Sequence, residues 1–235
     1  MKVIIAPDSF KESMSAKEVC DCAERGILSL FPDWEIVKVP MADGGEGTVE
    51  SLIDGTNGKI YNEETLNPLG EKIISKYGVL GDKNIAIIEM ATTSGLELIP
   101  ESKRNPYRTT TYGTGQLMLK ALDHNVEKII LGIGGSATTD GGAGMLQALG
   151  AKLTDKEGNE IGFGGFELGK LENIDFSGLD ERLKNVEILV ACDVNNPLTG
   201  KNGSAHIFGP QKGATPEMVE VLDKNLLHYA EVVKK

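Results

Sequence analysis

The chain has 235 residues, of which 40% are hydrophobic, and a formal net charge of −11 at pH 7. This length permits one large or two small domains, each with its own core. The negative charge repels phosphate backbones and anionic lipid headgroups, which argues against nucleic acids and membrane surfaces as partners.

The amino-terminal region predicts a strand, a helix and a second strand. The apolar run at 3–6 is typical of a buried parallel strand. Ser15 and Glu18 have the spacing of a capping box, and apolar residues follow at helical period as far as Leu30. Residues 35–39 predict the second strand. Strand, helix and strand in this order indicate an α/β domain.

The rest of the chain continues in the same class. Residues 72–80 and 85–90 predict a strand pair, with Gly81-Asp82 as its turn. The other predicted segments are a helix at 116–122, strands at 128–133 and 187–192, and a terminal amphipathic helix at 216–233. No linker rich in glycine, serine and proline separates these segments. We place a domain boundary near residue 90, which divides the chain into residues 1–90 and 91–235.

Cysteine usage and the amino terminus predict a cytoplasmic protein. The three cysteines, Cys20, Cys22 and Cys192, form no CxxC pair, and an odd number is not a disulfide framework. The apolar run at 3–6 is too short for a signal peptide, and no stretch is long enough to span a bilayer.

Acidic residues follow the first two predicted strands. Asp8, Ser9 and Lys11 lie after the first strand, and Asp43 and Gly44 lie after the second. In open parallel sheets, ligands bind beyond the carboxyl ends of the strands. Two adjacent acids fit a hydrated magnesium ion or a substrate hydroxyl, and Lys11 supplies positive charge for a carboxylate or phosphate. The alternative is that Asp43 caps a helix and the glycines form a turn.

A glycine-rich segment at 132–144 follows the apolar strand residues 128–131. Its glycines allow backbone amides to approach phosphate oxygens, and Ser136 and Thr138 can donate from their hydroxyl groups. Three of its small residues also match the relaxed dinucleotide-binding fingerprint, and the segment lacks the Gly-Lys-Ser/Thr ending of a P-loop. We expect a long loop that cradles phosphate or substrate, with close packing of a glycine-rich turn as the alternative.

Asp193 and Lys212 are the remaining candidates. Asp193 follows the strand predicted at 187–192, and Lys212 lies in a Gly-Pro-Gln-Lys-Gly segment before the last helix. An aspartate just past a buried strand can act as general base towards a substrate hydroxyl, as an acid does in protein kinases. Capping of loop amides is the alternative interpretation. No two histidines have metal-ligand spacing, which argues against a zinc site.

Seven segments of the chain form a recognisable series. They are IAPDSFKES, PMADGGEGT, IEMATTSGL, TTTYGTGQL, GIGGSATTDGGAGMLQALG, ACDVNNPLTG and FGPQKGA. In this order they resemble the signatures of the bacterial glycerate kinases that form 2-phosphoglycerate. The resemblance implies a two-domain α/β fold, in which a second α/β domain is inserted into a Rossmann-like domain built from both chain ends. It also implies ATP with Mg²⁺ as phosphate donor and D-glycerate as acceptor, bound in the cleft between the domains.

Residue chemistry and loop position then suggest roles within this resemblance. Asp193 is predicted to be the base, Asp43 is the second candidate for that role, and Lys11 is the third predicted catalytic residue. Asp43 and Asp193 are also the predicted metal ligands. The predicted substrate- and phosphate-binding residues are Asp8, Ser9, Gly44, Gly134, Gly135, Ser136, Thr138 and Lys212.

The chain also departs from this family pattern. Family members continue through a further glycine-rich segment and the second half of the Rossmann-like domain, whereas this chain ends at Lys235. We therefore expect the C-terminal half of the first domain to be absent and the uncovered sheet edge to favour self-association.

Two other functions remain open. One is a non-catalytic kinase fragment that only binds ligand or oligomerises. The other is an NAD-dependent oxidoreductase with Asp155 as its ribose ligand, although Gly141, Gly142 and Gly144 would weaken the Rossmann helix that it needs.

Overall fold

The computed structural model describes residues 1–8, 10, 13–41, 49, 52–53, 56–81 and 84–235. In this part of the chain the strands are β1 (Lys2–Ile5), β2 (Glu35–Lys38), β3 (Lys59–Leu66), β4 (Lys72–Val79), β5 (Ile85–Glu89), β6 (Lys128–Gly132), β7 (Lys152–Thr154), β8 (Asn173–Asp175) and β9 (Glu187–Ala191). The helices are α1 (Ala16–Leu30), α2 (Ala91–Ser94), α3 (Tyr112–Leu122), α4 (Ala143–Ala148), α5 (Ser204–Phe208) and α6 (Pro216–Val233). The α/β class is confirmed. None of the helices in these ranges is both long and apolar enough to cross a membrane.

The amino-terminal strand, helix and strand form where the sequence predicts them, but the prediction that the first strand is buried is wrong, since Ile4 of β1 is 65% exposed. β1 and β2 pair in parallel, with Lys2 opposite Glu35. The helix α1 begins after Ser15, whose side chain accepts a hydrogen bond from the Glu18 amide. The Glu18 carboxylate accepts in return from the Ser15 amide at 2.8 Å. The capping box is therefore confirmed, and it fixes where α1 starts.

The central sheet has five strands in the order β3-β4-β5-β6-β9. β4 is antiparallel to both β3 and β5, whereas β5, β6 and β9 run parallel. The predicted strand pair is present as β4 and β5, and Asp82 of its predicted turn lies outside the described residues. Strands from both sides of residue 90 pair in this one sheet, so residue 90 does not separate two sheets. The division into two domains stays a prediction.

Two clusters of buried side chains support this arrangement. The first joins α3 to the sheet, where Leu117 and Met118 pack with Ile88 and Ile129. The second surrounds the terminal helix α6; its central members are Leu153, Leu168, Leu171, Leu222 and Leu226. Both clusters are apolar. Buried polar residues near them are therefore unusual and are candidates for function.

Two glycines allow α3 and α4 to approach each other closely. A Cβ atom on Gly115 of α3 would lie 2.5 Å from the Met145 carbonyl oxygen. A Cβ atom on Gly144 of α4 would overlap the Thr110 hydroxyl. This close contact positions the loop that leads from β6 into α4.

The strand β9 forms one edge of the sheet and is exposed on both faces. Ile188 and Val190 point to one face and Leu189 to the other, and they are 42%, 54% and 41% exposed. In β5, by contrast, Ile87 and Ile88 are at most 1% exposed. Parallel strands are normally covered on both faces, so β9 presents an uncovered apolar surface.

Candidate functional site

The carboxyl ends of β5, β6 and β9 meet at one edge of the sheet because these strands are parallel. The register places Glu89 beside Gly132 and Gly132 beside Ala191. The short helix α2 follows β5 after one residue, whereas irregular segments follow β6 and β9 at this edge. Ligands of open α/β sheets bind at such an edge, which makes it the candidate site.

The segment after β6 is the long loop that its glycines predict. Gly134 and Gly135 are exposed and Ser136 is half-buried. Gly135 has a φ of 69°, a left-handed conformation that favours glycine. Its carbonyl oxygen accepts a hydrogen bond from the Leu96 amide at 2.9 Å, which holds the loop to the segment after β5. The outer surface of the loop therefore presents backbone groups and one hydroxyl group.

The helix after this loop starts late and is short. Gly141 and Gly142 have φ values of 59° and 83°, and α4 begins only at Ala143 and has six residues. A dinucleotide-binding helix starts directly after its glycine-rich turn, so the geometry does not support an oxidoreductase. Asp155, the candidate ribose ligand, instead accepts hydrogen bonds from two backbone amides of its own surface turn.

Asp140 lies beneath the loop and is a residue that the sequence analysis did not single out. It is 1% exposed. One of its oxygens accepts from the amide and the hydroxyl of Thr111, both at 2.8 Å, and from the Gly144 amide; the other accepts from the Gly142 amide. Burial raises the pKa of Asp140, and the hydrogen bonds from Thr111 oppose that rise. All four partners are donors, which suits an ionised carboxylate.

Lys212 reaches the same loop from the turn before α6. Its side chain is 8% exposed, and its ammonium group donates to the Ser136 hydroxyl oxygen at 2.8 Å and to the Thr138 carbonyl oxygen. Burial lowers the pKa of Lys212 to about 8, and the charge of Asp140 opposes this shift. The structure thus brings together three predicted binding residues, with the ammonium group behind the loop.

Two further loop hydroxyls lie below the surface. Thr138 and Thr139 are 5% and 7% exposed. The Thr139 hydroxyl oxygen has no hydrogen-bond partner among the described residues. Among the hydroxyl-bearing residues of this loop, Ser136 is therefore the one that is not fully buried.

Asp193 and Asp8 are the other predicted site residues that the structure describes. Asp193 is exposed two residues past the end of β9, and no hydrogen bond or ion pair links its carboxylate to another described residue. Asp8 is exposed three residues past the end of β1. The remaining predicted residues, Ser9, Lys11, Asp43 and Gly44, lie outside the described residues.

Glu89 is a second residue that the sequence analysis missed. It ends β5, is 2% exposed and accepts a hydrogen bond from the Val49 amide at 2.8 Å. A buried carboxylate that binds a distant backbone amide fixes two chain segments to each other. The sequence signal that could have revealed Glu89 is its position directly after the apolar residues of a predicted buried strand.

No metal centre is formed within the described ranges. These ranges contain no group of three histidine, cysteine, aspartate or glutamate side chains that could hold a metal ion. His124 is hydrogen-bonded to the Tyr77 hydroxyl at 2.9 Å, and His228 to the Leu171 carbonyl oxygen at 2.6 Å. These two histidines therefore have protein partners in place of a metal.

Comparison with known proteins points to one family. The glycerate kinase family model matches residues 3–235. The glycerate kinase of Bacillus subtilis is 57% identical and the glycerate 2-kinase of Escherichia coli 59% identical, each over 100% of this chain and 62% of the relative. A solved structure of a Salmonella typhimurium LT2 protein, assigned as glycerate kinase 2, superposes with a TM-score of 0.92 at 56% identity and covers 99% of this chain and 62% of that one. The chain thus spans less than two thirds of the length of these relatives.

Proposed function

Because the chain belongs to the glycerate kinase family, we propose that it transfers the γ-phosphate of ATP to D-glycerate and forms 2-phosphoglycerate. The observation that carries this proposal is the contact between the Lys212 ammonium group and Ser136, the residue that follows the exposed Gly134 and Gly135. Backbone amides, one hydroxyl and one buried cation together make a surface that suits an anionic ligand.

The negative charge of the chain strengthens the argument that this surface binds an anion. Both proposed ligands are anions, whereas the chain has a net charge of −11. An anion site on such a protein needs a local source of positive potential. Lys212 provides it at the carboxyl ends of the parallel strands, the edge where α/β sheets bind ligands.

The roles of the described residues follow from their exposure. We assign contact with glycerate or a phosphate group to Gly134, Gly135 and Ser136, with Thr138 and Lys212 supporting them from below. Asp193 is our candidate for the base that takes the proton of the attacking hydroxyl, because its exposed carboxylate is accessible.

The proposal keeps the remaining sequence candidates. Asp8, Ser9 and Gly44 would bind substrate, and Lys11 would supply further positive charge. Asp43 is the second candidate for the base.

Magnesium would enter this site together with ATP. Mg²⁺ is usually held by one or two protein carboxylates and by the phosphates of the substrate. The exposed carboxylate of Asp193 fits this pattern, and Asp43 is the other proposed ligand. Bound in this way, the ion would neutralise charge on the phosphate oxygens.

The wider setting belongs to the same proposal. We propose a cytoplasmic enzyme with a Rossmann-like domain and an inserted second domain. The three unpaired cysteines support a reducing compartment. The exposed strand β9 supports self-association.

A coupled assay of the 235-residue chain with D-glycerate, ATP and Mg²⁺ tests this function. We expect turnover, and we expect Asp193→Asn to lower it by about 10²–10⁴-fold, because an amide cannot take the hydroxyl proton. The matched control is Asp175→Asn, since Asp175 is also exposed and accepts a hydrogen bond from the Ser177 amide in a surface turn. This control should retain the wild-type rate.

Two outcomes would contradict these assignments separately. Binding of both ligands without turnover would identify a non-catalytic kinase fragment and exclude the proposed activity for this chain. Turnover that is equal in Asp193→Asn and in the wild type would leave the activity standing and remove Asp193 from the role of base.

A further inference from the structure

The half-buried Ser136 contacts a buried ammonium group and directly follows the exposed glycines of the loop. Lys212 donates to the Ser136 hydroxyl oxygen at 2.8 Å. Lys212 is 8% exposed, whereas Gly134 and Gly135, the two residues before Ser136, are exposed. Because a lysine ammonium group can only donate, Ser136 is the acceptor in this hydrogen bond.

This polarity leaves the hydroxyl proton of Ser136 available. A serine hydroxyl has one proton to donate and two lone pairs that can accept. No acceptor among the described residues takes that proton, since the hydrogen bond from Lys212 is the one that the side chain of Ser136 makes there. A charged donor at the oxygen also polarises the hydroxyl group and strengthens it as a donor.

We propose that Lys212 is a positioning residue that makes Ser136 a hydrogen-bond donor to a carboxylate or phosphate group bound at the exposed face of Gly134 and Gly135. The proposal rests on the proposed function, in which D-glycerate and ATP supply such groups. In this proposal Lys212 does not contact the ligand directly, as the sequence suggested, but orients the Ser136 hydroxyl that does.

The surroundings of Lys212 hold its ammonium group in this position. It also donates to the Thr138 carbonyl oxygen, and the charge of Asp140 acts on it from the same loop. Tyr229 of α6 is the other titratable group beside Asp140, and burial raises its pKa to about 12, so it remains neutral. Gly213, directly after Lys212, packs so closely that a Cβ atom there would overlap the Arg104 carbonyl oxygen. The turn therefore has little room to shift.

Calorimetric titration of the 235-residue chain with inorganic phosphate, and separately with D-glycerate, tests the proposal. Ser136→Ala and Lys212→Met should each weaken phosphate binding by about tenfold, the typical effect of one hydrogen bond to a charged group. The double variant should bind no more weakly than either single variant, because Ser136→Ala removes the donor and Lys212→Met removes the ammonium group that positions it, so both changes disable one interaction. Lys224→Met, at an exposed lysine of α6, is the matched control and should bind like the wild type.

The pH dependence separates this role from a merely structural one. The affinity of the wild type for D-glycerate, whose carboxylate stays ionised at these pH values, should be constant from neutral pH to about pH 8 and fall above it, as Lys212 loses its proton. Ser136→Ala should lose most of this fall, since the lysine acts through the serine. If Lys212 only stabilised the fold, Lys212→Met would lower the free energy of unfolding, and Ser136→Ala would not alter the pH dependence of the affinity.

Several results would overturn the inference. They are additive losses in the double variant, an unchanged affinity in either single variant, and a wild type that binds no phosphate. If Lys212→Met does not fold, Ser136→Ala decides alone, and a full fall in its affinity above about pH 8 counts against the proposal. Phosphate binding with coupled losses but without turnover of D-glycerate would instead overturn the proposed function and leave this inference intact.

Discussion

Asp140 fastens the glycine-rich loop to the start of α3. Its carboxylate binds the amide and hydroxyl of Thr111, and it also binds two amides, those of Gly142 and Gly144, that flank the start of α4. The Thr111 hydroxyl in turn accepts from the Met145 amide at 2.9 Å. One buried carboxylate therefore sets the path of the chain on both sides of the loop whose outer face carries Ser136.

Asp140→Asn tests this role at the level of one residue. The amide keeps the volume of the side chain, but its NH₂ group must then face a backbone N–H that previously had an acceptor. We expect a loss of about 2–4 kcal/mol in the free energy of unfolding, measured by chemical denaturation. Asp155→Asn is the control, because the amide oxygen can still accept in that surface turn, and it should change stability by about 0.5 kcal/mol or less. Equal losses in the two variants would contradict a special role for Asp140.

Single residues of the site differ in how far the sequence reveals them. Ser136 and the glycines beside it were predictable because the chemistry lies in one short segment after a strand. The contact of Ser136 with Lys212 joins residues 76 positions apart, and the Asp140 contact with Thr111 joins residues 29 apart. Such pairs depend on the fold, so the sequence suggested Lys212 as a ligand contact and did not single out Asp140.

Whole elements show the same division between local and distant causes. The start of α1 was predictable because Ser15 and Glu18 satisfy each other within one turn. The strand β3 was not predicted, because its inward face carries Tyr61, Glu63 and Thr65 and so lacks an apolar alternation. Distant residues provide its partners: Thr65 is hydrogen-bonded to the Ser75 hydroxyl at 2.9 Å, and the other two pair with side chains on β4 and α3.

Replacing glycine by alanine should have opposite effects on stability in α4, which packs closely against α3, and in α1, where the glycine has open space around it. Gly144→Ala places a methyl group against the Thr110 hydroxyl and 2.9 Å from the Tyr112 amide nitrogen, so we expect a loss of about 1–3 kcal/mol from overpacking. Gly26→Ala in α1 meets no atom within 4 Å and should raise the free energy of unfolding by about 0.5–1 kcal/mol, because alanine favours a helix. Thermal and chemical unfolding of both variants check this. A stabilised Gly144→Ala variant would show that the two helices can separate without cost.

At the scale of the whole molecule, the central sheet joins distant parts of the sequence. β9 pairs with β6 across more than fifty residues, and β5 and β6 pair across the whole of α3. A sequence without a linker signal does not reveal such pairing, and for this reason the predicted boundary at residue 90 falls beside a strand of a continuous sheet. The α/β class itself was predictable, because it depends on the local alternation of strands and helices.

The uncovered edge strand leads to a prediction about assembly. Ile188, Leu189 and Val190 leave both faces of β9 apolar and exposed, and an edge of this kind pairs readily with another chain. We expect the 235-residue chain to self-associate in a concentration-dependent way in analytical ultracentrifugation. Val190→Lys should shift it towards the monomer without loss of helical signal, because a lysine on an edge strand opposes pairing. Leu227→Lys is the matched control: Leu227 is 50% exposed but lies on the helix α6 and not on a sheet edge, and this variant should associate like the wild type. A wild type that stays monomeric at high concentration would show that exposed apolar residues on β9 are not sufficient to drive association.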